Sequence, residues 1–268
     1  MTFDLCYQEE LQSKNQNTKS EGFPNVFFNK KMSSNSIEEW FKELPPISRG
    51  WLVSALLSTV AVVLGFASPV QLYLDWNLVI NKFQIWRLMT CYIFFGKFGL
   101  PFVFQLYFLV RYATKYEQNP FAAGPHIQGS SADFAFMLMF GGLIMALVAS
   151  FMEFYFMGPA LVFMTLYMWS RKNATAPISF FGFAFQGIHL PWVLLAFSIL
   201  MGNSPVFDLL GIGVGHLYYF MIDVIPRQYP NWPSFLHLQT PAFLFEMIDG
   251  YAPAMPGQRP RVSTGSSA

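Results

Sequence analysis

Leu209-Leu210-Gly211-Ile212-Gly213-Val214-Gly215-His216-Leu217-Tyr218-Tyr219-Phe220-Met221 decides how the rest of the chain is read. The run is apolar and, with its neighbours, has the length of a membrane helix. Gly211 and Gly215 stand four apart, so they share one helix face. Each glycine costs a helix about 1 kcal/mol against alanine in water. A face without side chains offsets that cost where a second helix approaches backbone to backbone. Inside a bilayer such packing matters, because lipid supplies no hydrophobic force between helices. Gly213 is expected to add a third gap. One turn later the face becomes bulky and aromatic. The run therefore reads as the central span, against which the other helices pack.

Composition agrees with a membrane chain. Of 268 residues, 54% are hydrophobic and 12% charged, against about 25% charged in soluble domains. Mean hydropathy is +0.37. The net charge of +1 offers no field for nucleic acid. Two cysteines, Cys6 and Cys91, fit neither a disulfide framework nor a metal site, and no cofactor motif is present. Residues 1–31 lack the apolar core of a signal peptide, so the first span is expected to do the targeting.

Taken in order, residues 1–36 are rich in Ser, Asn, Lys and Glu and read as a disordered extension. Ile37–Leu44 has apolar residues at helical spacing, with charges opposite. That is a short amphipathic helix, capped by Ser34 or Ser36 and stopped by Pro45-Pro46, with Trp40 and Phe41 suited to the membrane interface. Six spans follow: Trp51–Ala67, Phe98–Tyr112 (or from near Leu88), Phe134–Phe151, Tyr155–Trp169, Ile178–Leu200 with a kink at Pro191, and Val206–Ile225. Several are short beside the roughly 20 residues a bilayer requires. Val70–Ile85 is too polar to span and too aromatic for a free linker; Tyr73, Trp76, Phe83 and Trp86 suit headgroup depth.

Charge then orients the spans. Lys42, Arg49, Arg111, Lys115, Arg171, Lys172 and Arg227 fall on one side if both termini are cytosolic. Only the first loop, with Lys82, Arg87 and Lys97, departs. It is expected to fold onto the membrane. Asn173-Ala174-Thr175 is a glycosylation sequon that this topology places in the cytosol, unused.

Several short motifs occur in a telling order. They are Gln84-Ile85-Trp86-Arg87, Ala132-Asp133-Phe134, Tyr167-Met168-Trp169-Ser170, Leu190-Pro191-Trp192-Val193-Leu194-Leu195, Gly211-x-x-x-Gly215-His216-x-Tyr218-x-Phe220, and Thr240-Pro241-Ala242-Phe243-Leu244. From about Ser36 to Phe245 the set resembles the derlin family, and Ile37–Pro45 resembles its plant-type N-terminus. His189 departs, standing where that family usually has tyrosine. The resemblance implies an all-α polytopic protein, a rhomboid-like bundle of six transmembrane helices. It spans residues 37–245, with a disordered cytosolic tail over 246–268.

Derlins in turn resemble rhomboid proteases, which need a serine in a GxSG turn opening span four and a histidine on span six. A serine hydroxyl is a poor nucleophile without a base beside it. Here Met157-Gly158-Pro159-Ala160-Leu161 holds no serine, and the histidine position is Asp208. A serine dyad is therefore not expected, and the chain reads as a pseudoprotease. His216 reads as a packing or hydrogen-bonding group, with Tyr218 or backbone carbonyls as partners.

Trp86 and Arg87 are expected to hold the first loop, Trp at the interface and Arg on headgroups or carbonyls. Gly211 and Gly215 are expected to pack the sixth helix. The resemblance also implies a role in ER-associated degradation, moving misfolded lumenal or membrane proteins to the cytosol through a thinned bilayer. The partners would be misfolded substrates, an ER ubiquitin ligase complex, the cytosolic AAA ATPase valosin-containing protein, the lipid bilayer, and further copies in a homo- or hetero-oligomer. Met255–Arg261 faintly resembles the ATPase-recruiting tail motif but lacks its aromatic, which weakens the expectation of direct contact. Two rival readings are a structural or lipid-interacting scaffold and an intramembrane protease with an atypical nucleophile.

Overall fold

Long apolar runs broken by proline and glycine give helices, because a backbone in hydrocarbon must satisfy its own hydrogen bonds. The structure, a computed structural model, describes residues 35–119, 131–152, 154–228 and 240–250. The expectations for residues 1–34, for a cap at Ser34 and for the tail motif at 255–261 lie outside them.

Two units are distinguished, Met1–Glu43 and Leu44–Ala268. The first contributes helix α1 (Asn35–Glu43), where Lys42 Nζ donates to Glu38 Oε1 at 2.6 Å one turn away. The second is the membrane unit. Helix α2 (Pro46–Val63) starts at Pro46 rather than Trp51, because proline is pre-set for the first turn. The first loop then holds α3 (Pro69–Leu72), α4 (Trp76–Lys82) and α5 (Arg87–Ile93). Helix α6 (Leu100–Phe108) runs through a π-helical turn, Leu109–Ala113, into α7 (Thr114–Gln118). The second span thus starts at Leu100, and α5 is a separate piece that ends before Gly96.

Helices α8 (Ser131–Phe151) and α9 (Gly158–Lys172) follow. The expected fifth span is only half a helix. Its first part is an antiparallel hairpin, β1 (Pro177–Phe180) and β2 (Phe183–Gln186), with Phe180 opposite Phe183. The turn residues Phe181 and Gly182 have φ of 49° and 85°, the left-handed pair of a tight hairpin turn. A turn of 3-10 helix, Gly187–His189, leads to α10 (Leu190–Leu200). Pro191 lies in the first turn of α10, where its missing N–H costs nothing, so it starts the helix instead of kinking it. Helix α11 (Pro205–Tyr219) passes through a second π-helical turn, Phe220–Val224, into α12 (Ile225–Gln228); α13 (Ala242–Ile248) closes the described part.

Pro46–Val63, Ser131–Phe151 and Pro205–Gln228 are long and apolar enough to cross a membrane. Helices α6 and α7 form one continuous run through their π-helical turn, whereas α9 and α10 are short. Helix α9 has 15 residues and α10 has 11. At 1.5 Å per residue they reach about 22 and 17 Å, beside about 30 Å of hydrocarbon.

The core sits on α9, where Ala160 through Ser170 are all buried. This corrects the expectation that the glycine-bearing helix is central. Helix α9 is apolar around its whole circumference, as a helix covered on every side must be. Helix α11 buries one face only, including Asp208, Gly211, Gly215 and Tyr218.

Candidate functional site

The first loop folds around Arg87. Trp86 stands 56% exposed while Arg87, its neighbour, is 5% exposed. Arg87 opens α5 and reaches back along the chain. Its Nε donates to Gln84 Oε1 at 2.7 Å, and its Nη1 donates to the carbonyls of Val70 and Tyr73, both at 2.9 Å. The guanidinium also lies 5.2 Å over the Tyr73 ring. Thr90 Oγ1 donates to the Leu72 carbonyl at 2.9 Å. These carbonyls belong to α3 and its exit. A helix of four residues cannot close its own last turn, and a cation at its C-terminus complements the exposed carbonyls. Arg87 therefore clasps the loop through these carbonyls.

The clasped loop is fixed to the bundle. Leu74 N donates to the Tyr155 carbonyl at 3.0 Å, and the Tyr73 and Tyr155 rings meet edge to face at 5.2 Å. Met157 N donates to the Cys91 carbonyl at 2.9 Å, and Tyr92 hydroxyl to the Gly142 carbonyl at 2.6 Å. Asp75 caps α4 by accepting from Asn77 N and Leu78 N. Six large apolar side chains of the loop, Val70, Ile80, Phe83, Ile85, Trp86 and Met89, are exposed, interspersed with the exposed polar Gln71, Asn77, Asn81 and Lys82. An uncovered surface of this kind marks a contact with a membrane or another protein.

The glycine pair packs α11 on α9. A Cβ on Gly211 would fall onto the Ala160 carbonyl oxygen and lie 2.8 Å from Phe163 Cβ. A Cβ on Gly215 would lie 3.0 Å from Tyr167 Cδ1 and 3.3 Å from the Met164 carbonyl oxygen. Gly213 is different: nothing lies within 4 Å, and it faces outward. The expected third gap is absent because residue 213 is turned away from the face that residues 211 and 215 share.

His216 is bonded to Tyr167, not to Tyr218. Nδ1 lies 2.7 Å from the Tyr167 hydroxyl, which accepts from Arg171 Nε at 2.7 Å. Arg171, Tyr167 and His216 thus form one hydrogen-bonded chain between α9 and α11. The reason is helical phase, since Tyr218 faces α8, its ring tilted 50° against that of Phe140 with centroids 5.3 Å apart. Asp208 is buried in the first turn of α11, beside Ser198 of α10. Asn203 Nδ2 donates to Ser198 Oγ at 3.4 Å, so a small polar cluster closes the α10–α11 turn.

Two buried carboxylates were not singled out from sequence. Glu117 accepts from Ile47 N at 3.0 Å, Ser48 N at 2.7 Å, Ser48 Oγ at 2.6 Å and Ser131 Oγ at 2.8 Å. It caps α2 from another helix and ties on the start of α8. The available signal was a helix entered through Pro45-Pro46 with no side-chain cap of its own. Asp133 accepts from Thr240 Oγ1, while Ala132, Leu244 and Phe245 form a small buried core. Ala132-Asp133-Phe134 and Thr240-Pro241-Ala242 are thus one contact. Loss of the cap has a measurable cost: Glu117→Ala is expected to destabilise the protein by about 3 kcal/mol, and Glu117→Gln by about half as much. Thermal unfolding in detergent measures both. Equal, negligible shifts would contradict the capping role.

Asn173, the sequon residue, ends α9, and its Nδ2 donates to the Trp169 carbonyl at 3.0 Å.

Known proteins resemble this chain over most of its length. The model of the Der1-like family matches residues 44–242, from the start of α2 to the start of α13. Derlin-2.2 of Arabidopsis thaliana is 42% identical over 223 residues, covering 79% of this chain and 87% of that protein. Derlin-2 of Oryza sativa subsp. japonica is 40% identical over 223 residues, covering 79% and 86%. A probable derlin-2 homolog of Dictyostelium discoideum is 37% identical over 222 residues, covering 80% and 83%. The expected resemblance, its plant type included, therefore holds, and this polytopic helical membrane protein belongs to the Der1-like, or derlin, family.

Proposed function

We propose that this chain is a non-catalytic derlin of the ER membrane that assists misfolded lumenal or membrane proteins on their way to the cytosol. The observation that carries the reading is the Arg87-clasped loop, with its exposed apolar side chains, mounted beside helices shorter than a bilayer. A loop seated at the interface and short helices together thin the surrounding lipid. A client segment then crosses with fewer of its backbone groups in hydrocarbon, where each unsatisfied group costs several kcal/mol. Both termini lie in the cytosol in this reading, on the side rich in Lys and Arg. The partners are the client, an ER ubiquitin ligase complex and the valosin-containing ATPase, which supplies the energy; assembly with further copies is part of the same proposal.

A pseudoprotease role is supported by the surroundings of His216. Its ring nitrogen is held by Tyr167, and Gly158-Pro159-Ala160 opens α9 without a serine. Turnover of a misfolded ER reporter tests the proposal. Cells lacking the chain should degrade the reporter more slowly, and its return should restore loss of the full-length reporter to the proteasome. A discrete cleavage fragment, made by purified protein and lost in His216→Ala, would establish the protease reading instead.

A further inference from the structure

An arginine near the end of a membrane helix ordinarily reaches out to water or headgroups. Arg171, one residue from the end of α9, is instead held against the bundle. Its Nε donates to the Tyr167 hydroxyl at 2.7 Å, and its guanidinium lies 5.3 Å over the Tyr167 ring and 5.5 Å over the Tyr219 ring. Arg171 makes no ion pair among the described residues, so Nη1 and Nη2 keep their donors. The same tyrosine oxygen holds His216 Nδ1 of α11 at 2.7 Å. The His216 ring is exposed, and its Nε2 has no protein partner among the described residues. One oxygen thus fixes two side chains from two helices, each with nitrogen left for a ligand.

The neighbouring charges are accounted for. Arg227 Nη2 lies 2.8 Å from Asp223 Oδ1, and Asp223 also accepts from the Tyr219 hydroxyl. Lys172 Nζ donates to Asn119 Oδ1 at 2.7 Å, just beyond α7. Arg171 is the uncompensated cation of the cluster.

A second observation lies one turn below His216. Gly213 has open space where a side chain would stand, with nothing within 4 Å of a Cβ built there. Val206, Leu209, Leu217 and Phe220, on the same side of α11, are exposed. The glycine costs the helix about 1 kcal/mol, and no neighbouring helix uses the gap. It leaves a shallow notch in an apolar stripe headed by imidazole and guanidinium.

We propose that α9 and α11 together bind one anionic phospholipid on the Lys- and Arg-rich side of the membrane. Its phosphate sits against Arg171 and His216, and an acyl chain lies over Gly213. The planar fork of arginine suits phosphate oxygens. From His216 to Val206 the helix runs about 15 Å, all of it exposed apolar surface on this side. A free phosphate gains nothing from the notch. A partner helix packed on Gly213 would leave the guanidinium without a counter-charge. The proposal rests on the membrane orientation above but not on the degradation role, so reporter turnover and lipid binding fail separately.

Native mass spectrometry of the full-length protein tests it, after exposure to vesicles of equal phosphatidylinositol and phosphatidylcholine. The wild type is expected to retain phosphatidylinositol about fivefold over phosphatidylcholine, the preference that one cation near the surface supplies. Arg171→Gln should bring the ratio close to one. Arg227→Gln, which removes a charge already paired, should keep the wild-type ratio. Gly213→Leu should lose the adducts of both lipids; it touches no packed residue, so it serves even where Arg171→Gln fails to fold. Thermal unfolding establishes which variants are folded. An unchanged ratio in folded Arg171→Gln, an equal fall in Arg227→Gln, or full adducts in Gly213→Leu overturns the proposal. So does displacement of the adduct by millimolar inorganic phosphate, or a photo-crosslinker at Leu217 that captures polypeptide and no lipid.

Discussion

Gly211→Leu is expected to separate α9 from α11 and to remove most of the folded protein. Even a single carbon at this position meets the Ala160 carbonyl oxygen and Phe163 Cβ. Both belong to the backbone or to the first atom of a side chain, so neither can rotate away. Overpacking a tight core costs about 1–3 kcal/mol where neighbours can adjust, and more where they cannot. Total stability is only about 5–15 kcal/mol. Gly215→Leu should follow the same course less severely, because its nearest neighbour is the Tyr167 ring, which has some freedom. Gly213→Leu is the internal control. It lies on the same helix, and nothing stands within 4 Å. Thermal unfolding in detergent should rank them 211 below 215, with 213 close to wild type. Equal behaviour at 211 and 213 would show that the interface is not set by glycine.

Arg87→Ala should free the first loop while leaving the bundle folded. The substitution strands the carbonyls of Val70 and Tyr73, which accept from the guanidinium at 2.9 Å. A hydrogen bond to a charged group contributes about 1.5–3 kcal/mol, and two or three of them exceed what a four-residue helix supplies for itself. Hydrogen exchange at residues 70–78 should accelerate at least tenfold, with α8 and α9 unaffected. Arg87→Lys should rescue only partly, because an ammonium lacks the planar fork that reaches Gln84 and two carbonyls together. Trp86→Ala should leave exchange in the loop almost unchanged. Its ring is exposed, so its effect is on seating in the membrane.

The helices that were legible from sequence are those with long apolar runs and clear stops, such as Ser131–Phe151 and Pro205–Tyr219. The glycine pair was legible from its spacing, and the Trp86-Arg87 pair through the family resemblance. Ile178–Gln186 was not. Its run of phenylalanines suits a buried strand as well as a helix, and only the left-handed Phe181-Gly182 turn separates the two. The dominance of α9 was hidden for a related reason: a helix apolar on every side shows no periodicity to read. Glu117 and the Asp133–Thr240 pair join segments distant in sequence, and neither partner points to the other in a single chain. His216 was recognised as a bonding group, but its partner depended on the phase of α9 against α11.

The central claim is that the clasped first loop is part of a machine that moves misfolded proteins out of the ER. The most direct test is turnover of a misfolded ER reporter in cells lacking this chain. Rescue is compared between the wild type and Trp86→Ala with Arg87→Ala, at matched levels in the ER. Restored turnover with the wild type, and none with the double variant, is the predicted result. Full rescue by the double variant would contradict a working role for the loop, and no rescue by either would move the chain to a lipid-interacting scaffold.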